Sequence, residues 1–160
     1  MKITTAATLV LAAFPACALA QIQGEISCDK GADISRVRAL VSRTAEALKR
    51  DEPGVIKEIN GGDKKWKDGN LYMVVFQGTK ALAHGYMPNL AGQDFAGTTY
   101  QNTYPWIHSA ARIALEKGQG CIEYRFHNPA KAGQVEDKVT YVLKVRGDIW
   151  AASGTYLVRD

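Results

Sequence analysis

Apolar residues recur at three- and four-residue steps from Ile34 through Val37, Val41, Ala45 and Leu48, with Arg36, Arg38, Arg43, Glu46 and Lys49 between them. The spacing predicts an amphipathic helix, and Asp33 suits its N-cap. Asp51-Glu52-Pro53 breaks the pattern and restarts it as a shorter helix, with proline at a first helical position and Val55, Ile56 and Ile59 on the buried side. Asn60-Gly61-Gly62 ends that helix, and Lys67-Asp68-Gly69-Asn70 turns the chain into a strand running from Leu71 to Phe76. Both alternating faces of this strand are apolar, Leu71, Met73 and Val75 on one and Tyr72, Val74 and Phe76 on the other, so it should be a central strand covered on both sides. The chain then turns at Gly78 into a second strand. From Pro88 to Thr103 it is rich in Gly, Thr and Asn without period, which predicts an irregular surface segment, and long loops in compact domains are usually functional.

A second amphipathic helix is predicted from about Pro105, carrying Trp106, Ile107, Ala110, Ala111, Ala114 and Leu115 and stopping at Gly118-Gln119-Gly120. Three strands follow. Cys121 to Phe126 places Ile122, Tyr124 and Phe126 on one face and Glu123 and Arg125 on the other. Lys138 to Val145 sets Val139, Tyr141, Leu143 and Val145 against Lys138, Thr140 and Lys144, and Gly147-Asp148 turns the chain into Ile149 to Val158. The expected fold is α+β, with one five-stranded antiparallel sheet in PAS-like order. A long N-terminal helix is expected on one side of it, and the irregular loop and second helix on the other.

The first residues supply an address. Lys2, an apolar run through Leu9, Val10, Leu11 and Phe14, and Ala18-Leu19-Ala20 before Gln21 read as a signal peptide over residues 1–20, cleaved after Ala20. The run is shorter than the roughly 20 residues a bilayer span needs, so the mature chain is expected in the bacterial periplasm or secreted, with no membrane insertion after cleavage. Phe14-Pro15-Ala16 is a poor lipidation context for Cys17. Residues 21–32 form a lead segment and 33–160 a single domain, about 140 mature residues being enough for one core.

The net charge of +4 is mild, and its densest spot, Lys64, Lys65 and Lys67, lacks the basic stripe and aromatic interleaving of a nucleic-acid surface. Cys28 and Cys121 remain after cleavage. An oxidising compartment allows them to pair across a loop of about 90 residues, although spacing alone does not show that they approach. His84, His108 and His127, together with the cysteines, are the residue types of a thiol hydrolase or a metal site. There is no Cys-x-x-Cys, no His-x-x-x-His and no nucleophile motif, so the expectation is a non-enzyme without metal or cofactor, a small secreted hydrolase being a rival reading.

Several segments carry a family resemblance in order: Asp68-Gly69-Asn70-Leu71-Tyr72; Ala83-His84-Gly85 with Pro88-Asn89-Leu90 and Gly92; Gly118-Gln119-Gly120; Tyr124-Arg125-Phe126-His127-Asn128-Pro129; Lys138-Val139-Thr140-Tyr141-Val142; and Trp150 with Ser153-Gly154-Thr155-Tyr156. Their succession from Asp33 to Tyr156 resembles the single Cache domain, type 2, of bacterial extracytoplasmic sensing. The chain departs from the family in having Thr99-Tyr100-Gln101-Asn102-Thr103-Tyr104 where members often carry an Asp-x-x-Gly-like turn. It also reaches Asp160 without the flanking membrane helices and cytoplasmic module of many members, so the resemblance points to a stand-alone domain.

The resemblance implies binding of a short organic acid, such as acetate, propionate, lactate or pyruvate, on the sheet face under the loop and second helix. A carboxylate leaving water needs a cation or several donors. Lys138 reads either as that cation or as an exposed strand lysine, and His84 either as a donor to the ligand or as a strand-end histidine bonded to backbone. Tyr86, Trp106, Tyr124 and Tyr141 offer apolar walls with polar tips, or plain core. Arg125 points away from Tyr124 in a regular strand. The implied partners are a small organic acid and a membrane sensor protein, and the alternative role is an interaction module that modulates the ectodomain of a sensor kinase or transporter.

Overall fold

A computed structural model of the chain describes residues 24–31, 33–97 and 106–157. The expected signal peptide, its cleavage site, Cys17 and the segment from Thr99 to Tyr104 lie outside the described residues. In chain order the elements are β1 (Gly24–Ile26), α1 (Ile34–Arg50), α2 (Glu52–Asn60), β2 (Lys67–Asp68), β3 (Leu71–Tyr72), β4 (Val74–Gln77), β5 (Lys80–His84), α3 (Trp106–Lys117), β6 (Gln119–Asn128), β7 (Gln134–Arg146) and β8 (Ile149–Tyr156).

Six strands form one antiparallel sheet in the order β1-β6-β7-β8-β4-β5. The five expected strands are β4 to β8, and β1 adds a sixth at the edge of β6, its Ile26 opposite Cys121. Three residues are too few to show an alternation, which is why the lead segment did not read as strand. The stretch from Leu71 to Phe76 divides at Met73. Leu71 and Tyr72 pair with Lys67 and Asp68 across a two-residue turn in which Gly69 takes φ +60°, a backbone conformation open to glycine without strain. Val74–Gln77 pairs instead with β8 and β5, one place in from the edge, and the centre of the sheet is β7 and β8. All six residues from Leu71 to Phe76 are buried, as their two apolar faces require.

The sheet has a core on each face. Val37, Leu40, Val41, Ala45 and Leu48 of α1 pack with Val55 and Ile59 of α2 on Met73, Val75, Val139 and Ala151. On the other face, Ile107, Ala110, Ile113 and Ala114 of α3 pack on Phe76, Ile122, Val142 and Trp150. Asp33 sits at the N-cap of α1 but makes no capping bond, because its carboxylate accepts from Arg36 Nη1 at 3.0 Å. Asp51 does cap α2, accepting from the Gly54 amide at 3.0 Å.

Cys28 and Cys121 form a disulfide with their Cα atoms 5.3 Å apart, which ties the lead segment to β6. The bond also removes both cysteines as free thiol nucleophiles. His108 and His127 bond to the carbonyls of Phe95 and Gly133 at 2.9 Å, each on its own part of the surface.

Candidate functional site

The register of β6, β7 and β8 brings chemistry to one spot on the α3 face. Tyr124 lies opposite Lys138, which lies opposite Tyr156, and Thr140 lies opposite Gly154. Directly opposed residues project from the same face, so Tyr124, Lys138 and Thr140 converge. Tyr72 and His84 close the spot from the β3–β5 side and Trp106 covers it from the start of α3, so all of these line one cavity. Its free space is about 260 Å³ out to the mouth, of which about 10 Å³ admits the centre of a water molecule, roughly room for one water.

Lys138 is 4% exposed. Its ammonium donates to the Tyr72 hydroxyl at 2.9 Å and stands 4.5, 5.3 and 5.2 Å from the ring centroids of Tyr72, Phe126 and Tyr156. No carboxylate among the described residues pairs with it, and none lines the cavity. Aromatic faces attract a cation but replace lost hydration only in part. Gly154 makes this placement possible: a Cβ there would lie 2.8 Å from Lys138 Cε and 2.6 Å from the Val139 carbonyl, and would strike Thr140 Oγ1.

His84 is 2% exposed, and its Nδ1 accepts from the amides of Met87 at 2.9 Å and Tyr86 at 3.3 Å. An accepting Nδ1 puts the ring proton on Nε2, which makes that nitrogen a donor. Burial first, and the Lys138 charge second, push the imidazole pKa down to about 3, so the ring stays neutral across the physiological range. Tyr124 is buried, shares a hydrogen bond of 3.0 Å with Thr140 Oγ1, and is held by burial well above the usual phenol range. The Trp106 indole lies flat on Tyr124, centroids 5.0 Å apart at 7°, with Phe76 and Phe126 edge-on to it. Its N–H is buried and has no partner among the described residues.

Four of the six expected residues, Lys138, Tyr124, Trp106 and His84, therefore line one cavity. Two do not. Tyr141 is three positions from Lys138, so strand alternation turns it to the α1 face, where its hydroxyl donates to Gln119 at 2.6 Å and its ring lies under Arg38. Tyr86 is 47% exposed, and its side chain lines a neighbouring groove of about 410 Å³; it meets the site through its ring contact with Tyr72 and its backbone amide on His84 Nδ1. Tyr72, Thr140 and Gly154 were not expected at the site. Tyr72 shares a strand face with Phe76 in the sequence pattern, but only the tertiary fold brings its hydroxyl to Lys138.

Two larger openings on the surface have different chemistry. The groove of about 700 Å³ beside α1 contains Arg36, whose guanidinium already meets Asp68 at 2.6 Å and Asp33 at 3.0 Å. Those carboxylates hold its pKa above the usual range. The basic spot of Arg43, Lys64, Lys65 and Lys67 is open to solvent, with Lys65 bound to Glu58 at 2.7 Å.

A sheet in PAS-like order, with a small cavity between its face and a short helix and an unpaired cation inside, defines a sensor-type ligand-binding domain. The family model of the single Cache domain 2 matches residues 42–157, and the chain belongs to that family. Cache sensor domains bind ligands and feed signal transduction rather than catalyse. Solved structures share the fold. A Cache chemosensory domain, described for carboxylic acid recognition, is 20% identical with a TM-score of 0.62, over 79% of this chain and 95% of that one. A methyl-accepting chemotaxis protein from Vibrio parahaemolyticus RIMD 2210633 is 13% identical with a TM-score of 0.60, over 76% and 86%. The periplasmic sensor domain of a chemotaxis protein is 20% identical with a TM-score of 0.57, over 78% and 90%. A search of curated proteins finds no match. No described helix is long and apolar enough to cross a membrane.

Proposed function

We propose that this domain binds a short monocarboxylate in the cavity between β7 and α3 and reports its presence to a membrane sensor protein from the extracytoplasmic side. One observation carries the reading: Lys138 is an almost fully buried ammonium with no acidic partner among the described residues. A buried charge is strongly disfavoured until an opposite charge joins it, so the site favours an anion. His84 Nε2 and the Tyr72 hydroxyl add donors beside that charge, while Phe126 and Trp106 supply the apolar wall that an alkyl group needs. The cavity as it stands holds about one water, so the proposed ligand is a small acid, of two to four carbons, admitted by rotamer changes of lining side chains. A neutral His84 and a single lysine match one negative charge rather than two. The disulfide supports export, since such bonds persist in oxidising compartments. That in turn agrees with a signal peptide removed after Ala20.

Thermal melts of the protein against two- to four-carbon acids, amino acids and purines test the reading. Ligand at 100 times Kd adds about 2.7 kcal/mol, which moves the melt by several degrees. Lys138→Met keeps the buried stem and removes the charge. It is expected to abolish the shift and to leave the ligand-free melt unchanged or higher, because an unpaired buried charge has gone. No shift with any acid at millimolar concentration, or an unaltered shift in Lys138→Met, overturns the proposal.

A further inference from the structure

We infer that the ligand carries an oxygen on the carbon next to its carboxyl group, as a 2-oxo or 2-hydroxy acid does, and that Trp106 selects it. The inference rests on the carboxylate site proposed above and concerns what else the ligand must present. Among the described residues, Trp106 Nε1 is the one buried side-chain nitrogen or oxygen without a hydrogen-bond partner. Buried donors in native proteins are almost always satisfied, and one left unmade carries the full penalty of its lost hydration. The other two tryptophans follow that rule: Trp66 donates to Glu58 at 3.0 Å and Trp150 to the Gly78 carbonyl at 2.8 Å. Trp106 differs from them in lining the ligand cavity.

The indole is also fixed in place. It lies flat on Tyr124 and is met edge-on by Phe76 and Phe126, so its N–H has a set direction rather than freedom to turn toward water. Tyr124 is the cross-strand partner of Lys138, which places the indole one ring layer from the lysine row of the sheet.

The two walls of the cavity divide the ligand between them. Sheet-side donors already serve a carboxylate: the Lys138 ammonium has N–H groups beyond the one given to Tyr72, that hydroxyl keeps its own proton, and His84 Nε2 carries another. The helix-side donor stands apart from these among aromatic rings. It requires an acceptor on the rest of a small, otherwise apolar ligand, and a keto or hydroxyl oxygen at the second carbon is that acceptor. An ammonium at the same carbon fails, because an indole N–H only donates, Lys138 repels it, and no acidic side chain lines the cavity.

Titration calorimetry with four three-carbon compounds, propionate, lactate, pyruvate and alanine, separates the possibilities. For the unaltered protein, lactate, pyruvate or both are expected to bind at least tenfold more tightly than propionate, with alanine not binding. In Trp106→Phe the preference over propionate should collapse to near one. A correlation spectrum of the three indole N–H groups gives a readout that does not depend on the folding of a variant. The resonance that is neither Trp66 nor Trp150 should move downfield with pyruvate or lactate and much less with propionate. Propionate binding as tightly as both oxygenated acids, or a preference that survives in Trp106→Phe, overturns this inference and leaves the carboxylate site standing. Binding of none of the acids overturns both.

Discussion

His84 takes two backbone hydrogen bonds on Nδ1 inside a site that also holds a lysine charge, and this makes it acid-sensitive in a definite direction. Its folded pKa, about 3, lies below the unfolded value of about 6.5, so the unfolded chain takes up the proton first. The stability it contributes is complete above about pH 6.5 and is lost as pH falls toward 3, at roughly 1.4 kcal/mol per pH unit between those limits. Urea unfolding at pH 6.5 and 5 should show that slope, and His84→Gln should flatten it. An unchanged slope in the variant removes His84 as its source. Carboxylates with lowered pKa values, such as Glu58, Asp68 and Glu136, add their own loss only at lower pH, so the window is clean of them. At this scale the sequence was informative where strand parity decides. Parity puts Tyr124 with Phe126 and Lys138 with Thr140, and the same parity sends Tyr141 to the far face, although its apolar ring and polar tip suit a ligand wall. The burial of Lys138 was not legible, because it depends on Gly154 of a neighbouring strand leaving room for the lysine stem.

Among the elements, the joint between α2 and β5 bears most directly on the site. Asn60, the last residue of α2, donates from Nδ2 to the Leu82 carbonyl at 3.0 Å and accepts on Oδ1 from the His84 amide at 3.1 Å. One side-chain amide thus pairs with the open edge of β5 as the peptide of another strand would, and holds the residue that brings the imidazole to the cavity. Asn60→Leu leaves a carbonyl and an amide without partners, an expected loss of about 1–3 kcal/mol in denaturant unfolding. Amide exchange at His84 should accelerate selectively, and uniform exchange across β5 would assign the loss to α2 packing instead. From the sequence, Asn60 reads only as a helix stop beside Gly61-Gly62. Helices and strands declare themselves through period, whereas a side chain closing a sheet edge 24 residues away is a product of packing. The division of the Leu71–Phe76 strand at Met73 was hidden for a related reason, since apolar residues on both faces look alike whether they pair with β2 or with β8.

Across the whole molecule, the sheet separates two jobs. The α1 face holds the disulfide end of β6 and a core without the unpaired cation, while the α3 face holds the cavity. Closing a loop of 93 residues stabilises the fold by about 4.6 kcal/mol in the chain-entropy model. Reduction should therefore lower the denaturant midpoint markedly while the folded, reduced protein keeps its response to acids, because Cys121 faces away from Lys138. A lost response in folded, reduced protein would show that the two faces are coupled. The fold class was the most legible property of all, as the order of periodic segments and the Cache resemblance both specify it. The sixth strand escaped because β1 is secured by a partner strand and a covalent bond rather than by its own pattern.

The same staple sorts the chain mechanically. Drawn apart by its two ends in an optical trap, the oxidised protein passes tension from the lead segment through the sulfur bridge directly into β6. The intervening chain, a sequence separation of 93 and about 320 Å when extended, carries no load until the bridge is reduced. Tyr72, His84 and Trp106 lie within that shielded length, and Tyr124 and Lys138 lie on the loaded side. An acid gripped by Lys138 and His84 together would clasp the two parts across the boundary, so ligand should raise the rupture force of the β7–β8 hairpin without altering the length released.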